Sequence, residues 1–178
     1  WALGVGMHHI VSDVWSLGVF ARDLFAAYAA DDGRVVPTQV NCRDHAAWQR
    51  GWLQGDALEQ QVGYWRDQLR DAAPLELPLD FPRPPVFTFR GAALDMELAP
   101  GLRERVRDVA VQQGATPFMV LLAAFNALLH AWSRQDDLAV GVPIAGRGAP
   151  ATQELVGVFI NTLVHRNDVS GDPSFREL

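Results

Sequence analysis

The first apolar pattern of the chain predicts a strand, a tight turn and a helix. In residues 3–9 the odd positions share one face and the even positions the other, which is typical of a strand. Ser12 or Asp13 can cap the helix that follows, because an apolar stripe with helical spacing begins just after them. That helix is expected to end at residues 31–33.

The next elements are two helices, which contain residues 44–52 and 58–69. Prolines cluster between residues 72 and 85, where they remove backbone donors and predict an extended linker. Beyond the linker the pattern predicts a strand at 87–98 and a helix that begins at Leu102 and ends at Gly114. Thr116 is expected to cap the next helix, at 118–132, which is apolar on nearly all sides and should therefore be buried. Two further strands are predicted at 138–144 and 158–164. The predicted class is a mixed α/β fold.

Composition narrows the possible functions. All fifteen basic residues are scattered arginines in a chain of net charge −6, which argues against nucleic-acid binding. The longest apolar stretch is shorter than the roughly 20 residues of a membrane span, so we expect no membrane contact and a cytoplasmic location. Cys42 is the only cysteine, which excludes an internal disulfide and favours a structural thiol. The 178 residues begin inside an apolar run and end where a helix opens, so we expect a fragment of a longer domain.

Candidate chemistry concentrates where the first strand ends. His9 lies at the strand end, and its imidazole can accept a proton at neutral pH or hold a nucleophile. Asp13, four residues later, can orient His9 or brace the turn by pairing with a distant arginine. The pattern alone also fits a structural interpretation, because paired histidines and capping aspartates are common. No third ligand stands at a suitable spacing, so we predict no metal site.

The segment Met7-His8-His9-Ile10-Val11-Ser12-Asp13-Val14-Trp15-Ser16 resembles the His-His-x-x-x-Asp-Gly motif of condensation domains from nonribosomal peptide synthetases. Further segments resemble later blocks of that family in the same order: 43–49, 64–69, 77–84 with 89–91, 137–147 and 156–163. The resemblance therefore spans the chain.

The resemblance implies a chloramphenicol-acetyltransferase-like fold, an α+β two-layer sandwich built as a pseudo-dimer of two halves. Residues 1–72 would complete the first half, 73–86 would link the halves, and 87–178 would begin the second half. The active site would lie in a tunnel between the halves.

The implied reaction is amide-bond formation by an acyltransferase that joins an acyl thioester to an amine. Both substrates would arrive on the 4′-phosphopantetheine arms of upstream and downstream peptidyl carrier proteins, beside an adenylation domain, and the chain itself would bind no cofactor. His9 would be the catalytic residue. Whether His9 removes the proton or mainly positions the amine stays open, and we favour positioning with assisted proton transfer, since an α-amine is already partly neutral at pH 7.

Other residues receive supporting roles from the resemblance. Asp13 would be structural and paired with Arg147, while Asn161 would face the tunnel or satisfy backbone groups at a strand end. His8, on the opposite strand face, is expected to be packed or hydrogen-bonded. Val14 stands where the family has glycine, and would strain the backbone by about 1 to 3 kcal/mol if the turn requires a positive φ.

Two functions compete with condensation. A catalytically silent module that docks carrier proteins or recruits a partner is favoured by Val14 and opposed by the intact histidines. The second competing function is that of a related His-x-x-x-Asp acyltransferase that acts on an alcohol. An epimerisation or heterocyclisation domain fits the motif residues less well.

Overall fold

The computed structural model describes residues 2–30, 38 and 40–178. In chain order the elements are α1 (Val14–Ala29), α2 (Cys42–Trp52), α3 (Gly55–Gln68), α4 (Leu102–Gln112), α5 (Pro117–Ser133), β1 (Asp137–Ile144), α6 (Pro150–Gln153) and β2 (Asn161–Asp168). The strands β1 and β2 form a two-stranded sheet.

The described chain divides into two compact units. Unit 1 comprises Trp1–Arg70 and Gly141–Val164, and unit 2 comprises Asp71–Val140 and His165–Leu178. The assignment of residues 1–72 and 87–178 to the two halves of an acetyltransferase-like fold stays a prediction.

Side-chain caps start α1 and α2, the first two helices of unit 1. The carboxylate of Asp13 accepts the backbone N–H of Ser16, and this contact begins α1. Asn41 and Asp44 form a capping box at α2, in which each side chain accepts a backbone N–H from the other residue's position. The helices predicted at 44–52 and 58–69 are confirmed as α2 and α3 with slightly different bounds. The predicted end of α1 at 31–33 lies outside the described residues.

In unit 2, the observed ends of α4 and α5 agree closely with the predicted helix boundaries. Gly114 has a φ of 62° just after α4, a left-handed conformation that glycine adopts without strain. The Thr116 hydroxyl accepts the N–H of Met119, with Pro117 at the first helical position of α5. Leu129 of α5 packs with Leu138 and Val169 in a small apolar core.

Several predicted features are wrong. Residues 3–9 and 87–98 form no strand, because no described strand hydrogen-bonds to either segment and an extended chain becomes a strand only in a ladder. The helix α5 is buried along one stripe only, and Phe118, Phe125 and Trp132 are exposed. The strand predicted at 158–164 is β2, which begins three residues later, at Asn161.

Among the described residues, no single helix is long and apolar enough to cross a membrane. The helical segments Leu102–Gln113 and Pro117–Ser133 reach the length and apolar composition of a membrane span only when they are taken together, and the chain bends by 103° between them.

Candidate active site at the turn before helix α1

The two histidines of the motif lie in an exposed turn. The carbonyl of His8 accepts the N–H of Val11 at 3.0 Å, and its ring Nδ1 accepts the N–H of Ile10 at 3.0 Å. The His8 ring therefore holds the turn, as a hydrogen-bonded histidine. His9 is exposed in the same turn.

Asp13 is the buried anchor of this turn, with its side chain 4% exposed. Its Oδ1 accepts the Ser16 N–H at 2.8 Å and the Ser16 hydroxyl at 2.7 Å. Its Oδ2 accepts the N–H of Phe159 at 3.0 Å. The guanidinium of Arg147 donates to both oxygens, at 3.0 and 3.2 Å. The carboxylate thus joins the start of α1 to a segment almost 150 positions later in the sequence.

These contacts decide the charge of Asp13. Burial alone would raise the pKa of the carboxyl group, since it disfavours the charged form. The hydrogen bonds from the Ser16 hydroxyl, the N–H groups of Phe159 and Ser16, and Arg147 outweigh burial and lower the pKa from 3.8 to about 2. Asp13 is therefore ionised throughout the neutral range and opposes the buried positive charge of Arg147.

Arg147 organises the loop in which it lies. Its side chain is 1% exposed, and its Nη1 donates to the carbonyls of Thr152 at 2.5 Å and Leu155 at 2.7 Å. The centre of the guanidinium lies 4.1 Å from the centre of the Phe159 ring, a cation–π distance. The predicted partners Asp13 and Arg147 are brought together in the structure, and the arginine also ties down residues 152–157.

Two glycines allow this close packing. Gly146 has a φ of 66°, and a Cβ there would lie 1.9 Å from the Phe159 carbonyl oxygen. A Cβ on Gly157 would lie 2.3 Å from the Sγ of Cys42. That thiol donates to the Val156 carbonyl at 2.8 Å, and burial raises its pKa, so Cys42 is a packed thiol.

A cavity of about 930 Å³ opens in unit 1 beside this network. Ile10 and Val11 of the turn line it, as do His45, Trp48 and Trp52 of α2 and residues 156–161. Asn161 is exposed at the start of β2 and lines the same cavity, and its Oδ1 also accepts the N–H of Thr162 at 2.9 Å. Both roles expected for Asn161, facing a substrate space and satisfying a strand-end amide, are compatible with this placement. His9 is not among the lining residues.

Val14 occupies its position without backbone strain. It is the first residue of α1, and the non-glycine residues with positive φ in the described chain are Asp71, Phe89, Arg134 and Asp172. The residue is 80% exposed. The condition for strain at the turn is therefore not met, and valine is accommodated by the helical conformation.

The sequence-based reasoning missed Ser16. Its hydroxyl touches Asp13, Arg147 and both polar backbone atoms of Gly157. A serine in the first turn of a helix is common, and no sequence signal separates this one from an ordinary capping residue. In the described ranges, no group of three or more histidine, cysteine, aspartate or glutamate residues has a geometry that could hold a metal ion.

Comparison with solved structures shows that the chain has the mixed α/β, chloramphenicol-acetyltransferase-like fold of condensation domains. The first condensation domain of the CDA synthetase matches at a TM-score of 0.73 and 27% identity, over 96% of this chain and 38% of that chain. The X-domain in its complex with OxyB from teicoplanin biosynthesis matches at 0.82 and 28%, over 95% and 39%.

The family follows from the sequence itself. The family model described as "Condensation domain" matches residues 1–178, so the chain belongs to the condensation-domain family. The phosphinothricin tripeptide synthetase PhsC of Streptomyces viridochromogenes is 42% identical over 176 residues, which are 96% of this chain and 16% of that protein. The malpinin synthetase of Mortierella alpina is 40% identical over 179 residues, which are 98% of this chain and 2% of that protein. The chain thus spans a small part of its curated relatives and about two fifths of the solved domains.

Proposed function

We propose that this chain carries the catalytic histidine turn of a domain that forms amide bonds in nonribosomal peptide synthesis. The acyl donor would be a thioester on one peptidyl carrier protein, and the acceptor would be an aminoacyl amine on another. Both would be held on 4′-phosphopantetheine arms, with an adenylation domain beside the carriers. Membership of the condensation-domain family supports this reaction class.

The observation that carries the proposal is the buried Asp13–Arg147 pair, whose aspartate stands four residues after an exposed His9. A side chain that positions a reacting group must itself be held in place, because a misplacement of about 1 Å can lower a rate about 100-fold. Asp13 fixes the start of α1, and the hydrogen bonds of His8 fix the turn between His8 and Val11. Hydrogen bonds hold both the turn and the start of α1, while His9 between them is exposed and would be free to meet substrate.

The chemistry assigned to His9 is positioning of the amine with assisted proton transfer. The amine nitrogen attacks the thioester carbonyl, the new C–N bond forms, and the C–S bond breaks. The proton lost by the nitrogen passes through the imidazole to the departing thiolate, so that charge balances. Asp13 takes no proton in this scheme, because its pKa of about 2 makes it a poor base.

The test is condensation by the domain that carries this chain, supplied with a loaded donor and acceptor carrier pair. Replacing His9 with alanine should lower the single-turnover rate by about 100- to 10,000-fold. His165→Ala, a histidine of β2 outside the turn, is the matched control and should leave the rate unchanged. A wild-type rate in the His9→Ala variant would refute the catalytic role.

A second candidate is a catalytically silent module that recruits a partner protein. The likeness to the X-domain solved in complex with OxyB favours it, while the intact turn and ion pair favour catalysis. The variant Val14→Gly tests a third possibility, that the domain has lost its activity through the replacement of the motif glycine by valine. Product formed only after this substitution would identify a decayed condensation domain, whereas no product from wild type or variant would support the recruiting role.

A further inference from the structure

Ser16 is the most completely enclosed polar side chain of the motif, with 0% of the residue exposed. Its hydroxyl oxygen lies 2.7 Å from Asp13 Oδ1 and 2.7 Å from the Gly157 carbonyl oxygen. It also lies 2.9 Å from Arg147 Nη2 and 2.9 Å from the Gly157 nitrogen. Four polar atoms therefore surround one hydroxyl.

The valence of a hydroxyl decides how these contacts are shared. A serine oxygen has one proton to donate and two lone pairs to accept. The N–H groups of Arg147 and Gly157 occupy the lone pairs, so the proton goes to Asp13 or to the Gly157 carbonyl. The carboxylate is the stronger acceptor, and the two N–H bonds of Arg147 Nη2 are directed to the Ser16 oxygen and to the Asp13 carboxylate. Whichever of the two acceptors takes the proton, the N–H of Gly157 donates to the Ser16 oxygen.

This arrangement links the histidine turn to the cavity. The hydroxyl of Ser16 holds Gly157, and Asp13 holds the N–H of Phe159 two residues later. Residues 157–161 all line the cavity and end at Asn161. The segment is thus fixed at two points by the first turn of α1, and Ser16 provides the contact to the N–H of Gly157.

We propose that Ser16 is a positioning residue, whose hydroxyl fixes residues 157–161, and with them Asn161, relative to the turn that carries His9. The inference rests on the proposed condensation function. It assigns to Ser16 an effect on the reaction that acts through the cavity-lining segment and not through direct contact with substrate.

The test compares Ser16→Ala with wild type in the domain that carries this chain, using loaded donor and acceptor carriers. Rates are expressed per folded domain, measured well below the unfolding temperature. We expect kcat to fall about 10- to 100-fold, while the KM for the acceptor carrier changes less than about threefold, because a misplaced segment impairs alignment more than docking. Ser170→Ala, which removes an exposed hydroxyl in unit 2, is the matched control.

Hydrogen exchange supplies the readout that a merely stabilising role would not give. In Ser16→Ala the peptide covering residues 157–159 should exchange at least about tenfold faster, while α2 and α3 keep their wild-type exchange. If the alanine variant does not fold, Ser16→Cys keeps the size of the side chain with a weaker hydrogen-bonding group, and the same two changes are expected at smaller size.

Either of two results would overturn the inference. One is a wild-type kcat in folded variants, and the other is a reduced kcat with unchanged exchange in 157–159. Absence of product from the wild-type domain would instead overturn the proposed function and the rate part of this inference. In that case the exchange measurement would still test whether Ser16 holds the segment.

Discussion

Replacing Asp13 with asparagine should destabilise the domain in a manner that depends on pH. Asparagine keeps the shape of the side chain, but its amide nitrogen cannot accept the N–H of Phe159, and the positive charge of Arg147 stays buried without a counter-charge. Removing one partner of a buried ion pair typically costs about 3 to 5 kcal/mol. We expect a loss in that range at pH 7.

The pH dependence follows from the pKa of Asp13. A folded-state pKa of about 2 against an ordinary 3.8 corresponds to about 2 kcal/mol of stability at neutral pH. Because the folded pKa is the lower one, this contribution is complete above about pH 5, falls to about half near pH 3, and disappears below pH 2. The gap between wild type and Asp13→Asn should therefore narrow by about 1 kcal/mol between pH 7 and pH 3.

The assay is urea unfolding of the wild-type and variant condensation domain at several pH values between 3 and 7. Asp95→Asn is the matched control, since Asp95 is exposed and should change the free energy of unfolding by less than about 0.5 kcal/mol. An Asp13→Asn domain as stable as wild type at pH 7, or a gap that does not change with pH, would refute the reasoning.

Three further predictions follow from the packing around the same network. Gly157→Ala should lower the free energy of unfolding by about 1 to 3 kcal/mol, because its Cβ would meet the Cys42 sulfur. Thermal unfolding should show that Cys42→Ala restores part of this stability, and that Gly148→Ala, whose Cβ meets nothing within 4 Å, lowers stability less. Val14→Gly should change the free energy of unfolding by less than about 1 kcal/mol, since Val14 is exposed and helical; a gain well above that in urea unfolding would show that valine strains the turn. Cys42 should react with a thiol reagent several-fold more slowly than a free cysteine at pH 8, because burial raises its pKa; equal rates would show that the thiol is not packed as described.

Local signals in the sequence predicted the helices well. Asp13, Thr116 and Gly114 mark helix ends by their own side chains or backbone freedom, and the structure uses each of them in that way. Strands were predicted less well. A strand depends on a partner far away in sequence, so the alternation in residues 3–9 and 87–98 was not sufficient, and β2 begins three residues late.

The candidate site was predictable only in part. His9 and Asp13 were indicated by their place at a predicted strand end and helix start, while Arg147 came from the family resemblance. The structure places Asp13 and Arg147 in contact. Neither spacing nor composition indicated that Ser16 contacts a glycine 141 positions later. Such a contact depends on the path of the chain between the two residues, which local pattern does not encode.

The hydrogen bonds of Arg147 also bear on how this region could be exchanged between related domains. Within the described part of the chain, its Nη1 donates to two main-chain carbonyls, those of Thr152 and Leu155, and every amino acid provides a carbonyl. The side chains between Gly148 and Val156 are therefore not specified by this arginine. Thr152 and Leu155 are themselves buried, so a chimaera that keeps them together with Asp13, Arg147 and the flanking glycines could receive the exposed intervening residues of a relative as a cassette.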